Sequence, residues 1–329
     1  MTSSTRRVHR SLAGSLCVML IAVLAACGGG TEPPAAAPSV DTASSREAAA
    51  AAVEAQAIKA KPRKRPRTRL WKGVTALVIA RDGSLIGAAG ADGRIRLLDS
   101  TNLRLRSTLV GHRGKAATGV VFSGDGRRLI SVGRDSVADV WDVASGGLVL
   151  TLNGQEQAIR AVTGSPDGAL IVTAGEETRV MVWNAATGKL RNILAGHTDF
   201  VNTVAFSPDG KLIASADAAA RILLWDAASG KLLRTLLGHA DEVNTIAFSP
   251  DGSLLASASE DSRVLLWDVA AGRQVEALEG HQGPVRAVAF SRSGATLASG
   301  GEDTKVLVWD VANRRLDKSL TGTPAFIST

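Results

Sequence analysis

The 329-residue chain has no tyrosine, and aromatic residues make up only 4% of it. That scarcity argues against a large aromatic binding platform. Cysteine is nearly absent too: there are two, Cys17 and Cys27. The five histidines are His9, His112, His197, His239 and His281. The apolar stretch at the N-terminus, residues 12–26, is shorter than the roughly 20 residues a membrane span needs. What the chain does have is 45% hydrophobic residues, mostly Ala, Val, Leu and Ile, enough to bury a substantial core.

The formal charge of +7 suggests nucleic acid until its location is considered. Arg6, Arg7 and Arg10 carry +3 and residues 27–72 a further +5, which leaves −1 for everything from Gly73 onward. The body of the chain is close to neutral, so the location of the charge argues against a nucleic-acid reading.

The first residues read as a processing segment, with a positive start followed by the apolar run. Leu24, Ala25, Ala26 and Cys27 ("LAAC"), followed by "GGG", resemble the lipobox of a bacterial lipoprotein signal. The resemblance implies removal of residues 1–26 and acylation of Cys27. With Gly28 next in line, it also implies an outer membrane, facing the periplasm, in an organism that has one. A signal peptide with a chance cysteine, or a short uncleaved anchor, is the alternative. Once Cys17 is removed, no internal disulfide is available despite the oxidising compartment, and stability must come from packing.

Residues 27–72 have the composition of a tether. "TEPPAAAPSV" is extended, while "SREAAAAAVEAQAIKAK" (45–61) suits a helix, with capping-box spacing between Ser44 and Glu47 and a stop at Pro62. The segment 59–72 then gathers eight Lys and Arg without an acid. It either lies against anionic headgroups, at about 1 kcal/mol per basic residue, or is a solvated linker.

From Gly73 the chain repeats. Trp141, Trp183, Trp225, Trp267 and Trp309 stand 42 residues apart, and Gly-His pairs at 111, 196, 238 and 280 keep the same beat, with Gly154-Gln155 in the missing place. An earlier unit has Leu98 where Trp would stand, making six units. Each reads as four short strands. In the fifth, "VNTIAF", "LLASAS", "RVLLWD" and "RQVEALEG" are separated by "SPDG", "EDS" and "VAAG". One such sheet cannot bury both faces alone, so the sheets must stack, and radial stacking limits exposed edges.

Through "GH…FSPDG…LASAS.ED…LLWD" the chain resembles WD-repeat β-propellers over residues 73–322, leaving 323–329 as a C-terminal tail. The resemblance implies an all-β propeller of six four-stranded blades, with seven as the alternative. Arg315 to Thr321 already completes the sixth blade, so no latch strand is required, although residues 67–71 compete for that edge. The stretch before Gly73 is nearly one repeat long, but its Pro, Ala and basic content argues against a hidden blade.

The family also implies a hydrogen-bonded tetrad inside each blade. The second unit supplies His112, Ser131, Asp135 and Trp141; the fifth His239, Ser257, Asp261 and Trp267; the sixth His281, Ser299, Asp303 and Trp309. The fourth keeps His197, Ser215 and Trp225 with Ala219 in the Asp position. The third has Gln155, Thr173, Glu177 and Trp183, and the first only Ala88, Asp92 and Leu98. Ser, His and Asp together suggest a nucleophile triad, but three of them decaying around a ring make an implausible enzyme. No imidazole is left over for acid–base work. There is no Cys- or His-rich metal cluster and no phosphate-cradling loop, so neither cofactor nor metal is expected. The acid pairs Glu176-Glu177, Glu260-Asp261 and Glu302-Asp303 each leave one rim carboxylate, which is short of a Ca²⁺ site.

Partners in this family dock on the face carrying these turns and the Gly-His loops. By resemblance the candidates are Phe200, Asn202, Glu242, Asn244, Arg286, Arg134, Glu260 and Glu302. Phe200 either packs into its blade or anchors an interface. The sequence thus predicts a lipid-anchored, non-enzymatic protein-interaction scaffold at the cell envelope. Two rivals are a small-molecule binder or enzyme using the central channel and an anionic-surface binder working through residues 59–72.

Overall fold

The computed structural model describes residues 73–321. The signal (1–26), the tether (27–72) with its expected helix and basic arm, and the tail beyond 321 lie outside the described residues.

Twenty-four strands form six antiparallel sheets of four, each made of strands consecutive in sequence. The blades span residues 74–110, 117–153, 159–195, 201–237, 243–278 and 285–321. In the fifth, the inner strand is Val243–Phe248, followed by Leu254–Ser259, Val264–Asp268 and the outer strand Arg273–Leu278. The described part of the chain is a six-bladed β-propeller.

The turn between the first two strands shows why "SPDG" recurs. Ser207 Oγ donates to Asp209 (2.6 Å) and accepts from the Leu212 N–H (2.9 Å), while Asp209 also accepts from the Lys211 N–H (3.1 Å). Gly210 closes the turn at φ 72°, which a side chain would resist. Bonding to Ser207 holds the Asp209 carboxyl below the usual carboxylate range.

Two irregularities recur in the ladders. The first falls at the second residue of each inner strand, where pairing skips from Val201↔Asp217 to Thr203↔Ala216 and leaves Asn202 as an extra residue. The same skip makes Thr75, Thr118, Arg160, Asn244 and Arg286 the bulged residues of the other blades. A bulge re-aims its side chain, and here all six emerge at one end of the inner strands. The second falls just before the third-strand Trp, where the ladder to the outer strand slips by one residue.

The core lies between blades. Ala214, Ala216, Ile222, Leu224 and Leu236 of the fourth blade pack on Val243, Ile246, Leu255, Leu265 and Trp267 of the fifth. Equivalent clusters join the first blade to the second, the second to the third, the third to the fourth and the fifth to the sixth. Alternation along each strand feeds both clusters, because successive residues point to opposite faces. The outer strands bury little: in Leu232–Leu237 only Leu236 is buried.

Candidate interaction face

The fifth blade places His239 with Nδ1 2.9 Å from Asp261 and Nε2 2.7 Å from Ser257 Oγ, which also receives the Trp267 indole N–H at 2.8 Å. Asp261 is held down to about 2: burial alone would raise its pKa, and the Ala240 N–H, His239 and Arg263 more than offset that. The carboxylate is therefore ionised and fixes the proton on Nδ1. That leaves Nε2 to accept from the Ser257 hydroxyl. Burial lowers the His239 pKa against the opposing pull of Asp261, so the ring is neutral.

This is the hydrogen-bond order of a catalytic triad, but the nucleophile position is closed. Ser257 is 0% exposed and its oxygen is already engaged by Trp267. No substrate carbonyl can approach it. The second and sixth blades repeat the arrangement: His112 lies 3.0 Å from Asp135 and 2.8 Å from Ser131, and His281 lies 3.0 Å from Asp303 and 2.8 Å from Ser299. Trp141 and Trp309 donate to the same serines.

The fourth blade corrects the sequence reading. Its tetrad does not end in a gap at Ala219; Asp217 supplies the carboxylate, 2.7 Å from His197 Nδ1. Asp217 sits at the end of the second strand, where the second and sixth blades have Gly133 and Gly301. A Cβ at those glycines would come within 2.6 and 2.9 Å of the histidine Nδ1. A side chain at this position points at the imidazole, so a carboxylate reaches it from the strand as well as from the turn. The signal was present in the sequence as "SAD", two residues ahead of the expected place. Arg221 also bonds Asp217, at 2.9 Å.

The third blade retains only the bond from Trp183 to Thr173, 2.8 Å. Glu177 turns to the Gln157 N–H (3.1 Å) and Arg179 (2.7 Å), and both amide atoms of buried Gln155 lack a partner. In the first blade, Asp92 pairs with Arg96 at 2.6 Å.

The bulged residues make the rim. Asn202 donates to Glu242 (2.7 Å) and to the Val243 carbonyl of the next blade (3.1 Å), and it accepts from Arg160 at 3.0 Å. Asn244 reaches the Val285 carbonyl (2.9 Å) and accepts from Arg286 (3.0 Å). Arg286 also pairs with Glu260 and Glu302. Seven of the eight expected contact residues thus fall along one arc of the fourth to sixth blades. Arg134 stands on the corresponding turn of the second blade, half-buried, its N–H bonded to Ala116 O.

The expectation of one free rim carboxylate per blade fails for Glu260 and Glu302. Both are paired with Arg286, a residue inserted by the bulge, whose single charge offsets one of the two. Burial raises the Glu260 pKa, and Arg286 opposes the rise. Arg160 was not among the expected contacts, yet it organises the other end of the arc. Its guanidinium lies 5.2 Å from the Phe200 ring centre, and Phe200 is 42% exposed. The ring stands open on the rim, stacked against a half-buried guanidinium that Glu176 also pairs with at 3.3 Å.

The profile of the family described as WD domain, G-beta repeat (WD40) matches residues 103–142, 146–184, 188–226, 230–268 and 272–310, together more than half of the chain. The chain belongs to the WD40 repeat family, whose members generally mediate protein interactions and are generally non-enzymatic. The matched segments start at residue 103, so the first three strands stand outside them. Apoptotic protease-activating factor 1 of Mus musculus is 40% identical over 65 residues, which are 20% of this chain and 5% of that protein. The match therefore spans about a twentieth of that relative's length.

Proposed function

We infer that the protein is a lipid-anchored, non-enzymatic scaffold that holds a protein partner at the bacterial cell envelope, on the membrane that carries acylated Cys27. In a diderm organism this is the outer membrane, facing the periplasm. The observation that carries the scaffold reading is the contrast between the buried tetrads and the exposed Phe200–Arg160 pair. Every histidine of residues 73–321 is committed inside a blade, while the rim presents an exposed aromatic ring beside a guanidinium, two residue types enriched in protein interfaces. The lipobox supports the anchor, and the neutral propeller suits a partner recognised by shape and apolar contact more than by bulk charge.

The test is affinity capture from envelope fractions with the full chain, a Phe200→Ala variant and a Cys27→Ser variant. Phe200→Ala is expected to weaken partner capture at least tenfold while the protein stays with membranes. Cys27→Ser is expected to release it into the soluble fraction. Partner recovery unchanged by Phe200→Ala sinks the rim reading, and membrane retention unchanged by Cys27→Ser sinks the anchor.

A further inference from the structure

The five junctions between consecutive blades are alike, and the junction that returns from the sixth blade to the first is not. Inner strands of consecutive blades pack side by side, but among the described residues those of the sixth and first make no comparable approach. Among the described residues no apolar cluster joins these two blades; Ala287, Ala298 and Val306 form a separate cluster confined to the sixth. The bulge side chains Thr75, Thr118, Asn202 and Asn244 each donate to the first inner-strand carbonyl of the following blade. The two bulged arginines differ: Arg160 reaches across to Asn202 of the following blade, whereas Arg286 is held by Asn244, Glu260 and Glu302 of its own and the preceding blade.

Burial gives the same result from both walls. The outer-strand residue paired with the first buried position of the third strand is Leu109, Leu152, Leu194, Leu236 or Leu278 in the first five blades, each at most 3% exposed. In the sixth it is Leu320, which is 45% exposed. Val308 is half-buried where Leu224 and Leu266 are buried. On the facing wall, Val74 and Ile86 are half-buried, whereas their counterparts in the other five blades are at most 1% exposed. An apolar seam therefore runs between the two blades.

We propose that this seam is the docking site of the chain's own C-terminal tail, residues 322–329, which lies across it as a strap. Three features select the tail. It leaves the sixth blade two residues after Leu320. It continues the 42-residue register: Gly322-Thr323 follow Gly280-His281, and Ile327 follows Val285. It carries Phe326 and Ile327 and no charge. The competing segment 67–71 brings Arg67 and Arg69 to a wall that already holds Arg94 and Arg96. The first blade has also lost its polar tetrad partners in concert, with Ala88 in the Ser place and Leu98 in the Trp place. A histidine in the tail would find neither Ser nor Trp there, with Asp92 already paired to Arg96, and the register has Thr323 instead.

Hydrogen exchange on the full chain, on a chain ending at Thr321 and on a Phe326→Asp/Ile327→Asp variant tests this. Both alterations are expected to speed exchange at least tenfold in 74–90 and 305–321, leaving 201–259 unchanged, which also shows that the fold survives. Unchanged exchange at the seam overturns the proposal. So does seam protection that needs residues 59–72, or protection that rises with protein concentration as dimers form, which would assign the seam to the arm or to a second copy. Should the variants lose protection everywhere, a benzoylphenylalanine at position 326 of the otherwise unaltered chain decides. Crosslinks to 74–98 support the strap; crosslinks only elsewhere, or none, refute it.

Discussion

The third and fifth blades share strand order, register and turns, yet one is held by a complete hydrogen-bonded network and the other by a single bond. In the fifth, Ser257 joins His239 and Trp267, and Asp261 closes the chain of contacts. In the third, Thr173 receives Trp183 alone, Gln155 is buried without partners, and Glu177 has turned to the backbone and Arg179. The apolar contacts of the two are nevertheless equivalent. The difference teaches that interblade packing specifies the fold and that the tetrad adds stability and rigidity to a blade already formed. This is why the repeat tolerates loss of the tetrad one member at a time.

The largest effect should come from removing the hub of the complete network. Ser257→Ala leaves the Trp267 N–H and His239 Nε2 unpaired in a buried site, at a cost of about 3 kcal/mol. Thr173→Val in the third blade orphans only Trp183 and should cost about 1 kcal/mol. Urea unfolding of the two variants measures the difference directly, and equal losses would mean that the tetrad acts as independent bonds and not as a unit. The converse change, Gln155→His, should raise stability by about 1 kcal/mol by giving buried polar atoms partners in Thr173 and Glu177. If it destabilises, Glu177 is committed to its present contacts.

The repeat was legible because period, Trp, Gly-His and Asp-Gly recur together, each tied to a backbone need that any sequence of this fold must meet. Positions of the tetrad could be counted along the chain for the same reason. The count failed at Asp217, because two places, one on the strand and one in the turn, lead to the same imidazole nitrogen, and one-dimensional spacing cannot tell them apart. The rim was harder to read. Nothing in the letters Asn202, Asn244 or Arg286 marks them as bulged, and the bulge is what sends Arg286 to Glu260 and Glu302, so that neither carboxylate stands free on the rim. Arg160 was missed for that reason.

A pH series sharpens the contrast between blades more gently. Burial lowers the folded-state pKa of His239 and His281 below the ordinary 6.5. The unfolded chain therefore binds protons that the folded chain does not, so this contribution is present above pH 6.5 and declines as pH falls below it. Asp261, held near 2 against an unfolded 3.8, contributes above about pH 3.8 and loses that contribution as pH falls through 2. The urea midpoint should fall between pH 7 and 5, and His239→Gln, which gives the fifth blade the third blade's residue, should flatten that slope. An unchanged slope would place the proton uptake elsewhere.

The smallest effect tests the turn between second and third strands. The first blade has Gly93 there at φ 76°, while the second, fourth, fifth and sixth hold Ser136, Ala220, Ser262 and Thr304 at φ 63–68°. A side chain in this left-handed region costs about 1–2 kcal/mol, and the blades with good tetrads bear it. Ala220 makes the cleanest probe, since its methyl group forms no hydrogen bond to be lost. Ala220→Gly should stabilise the protein by about 0.5 kcal/mol, the relief of strain being partly offset by the greater freedom of glycine in the unfolded chain. The bond between Asp217 and His197 lies just before this turn, so a loss of stability instead would show that the strained residue helps hold the carboxylate on the imidazole.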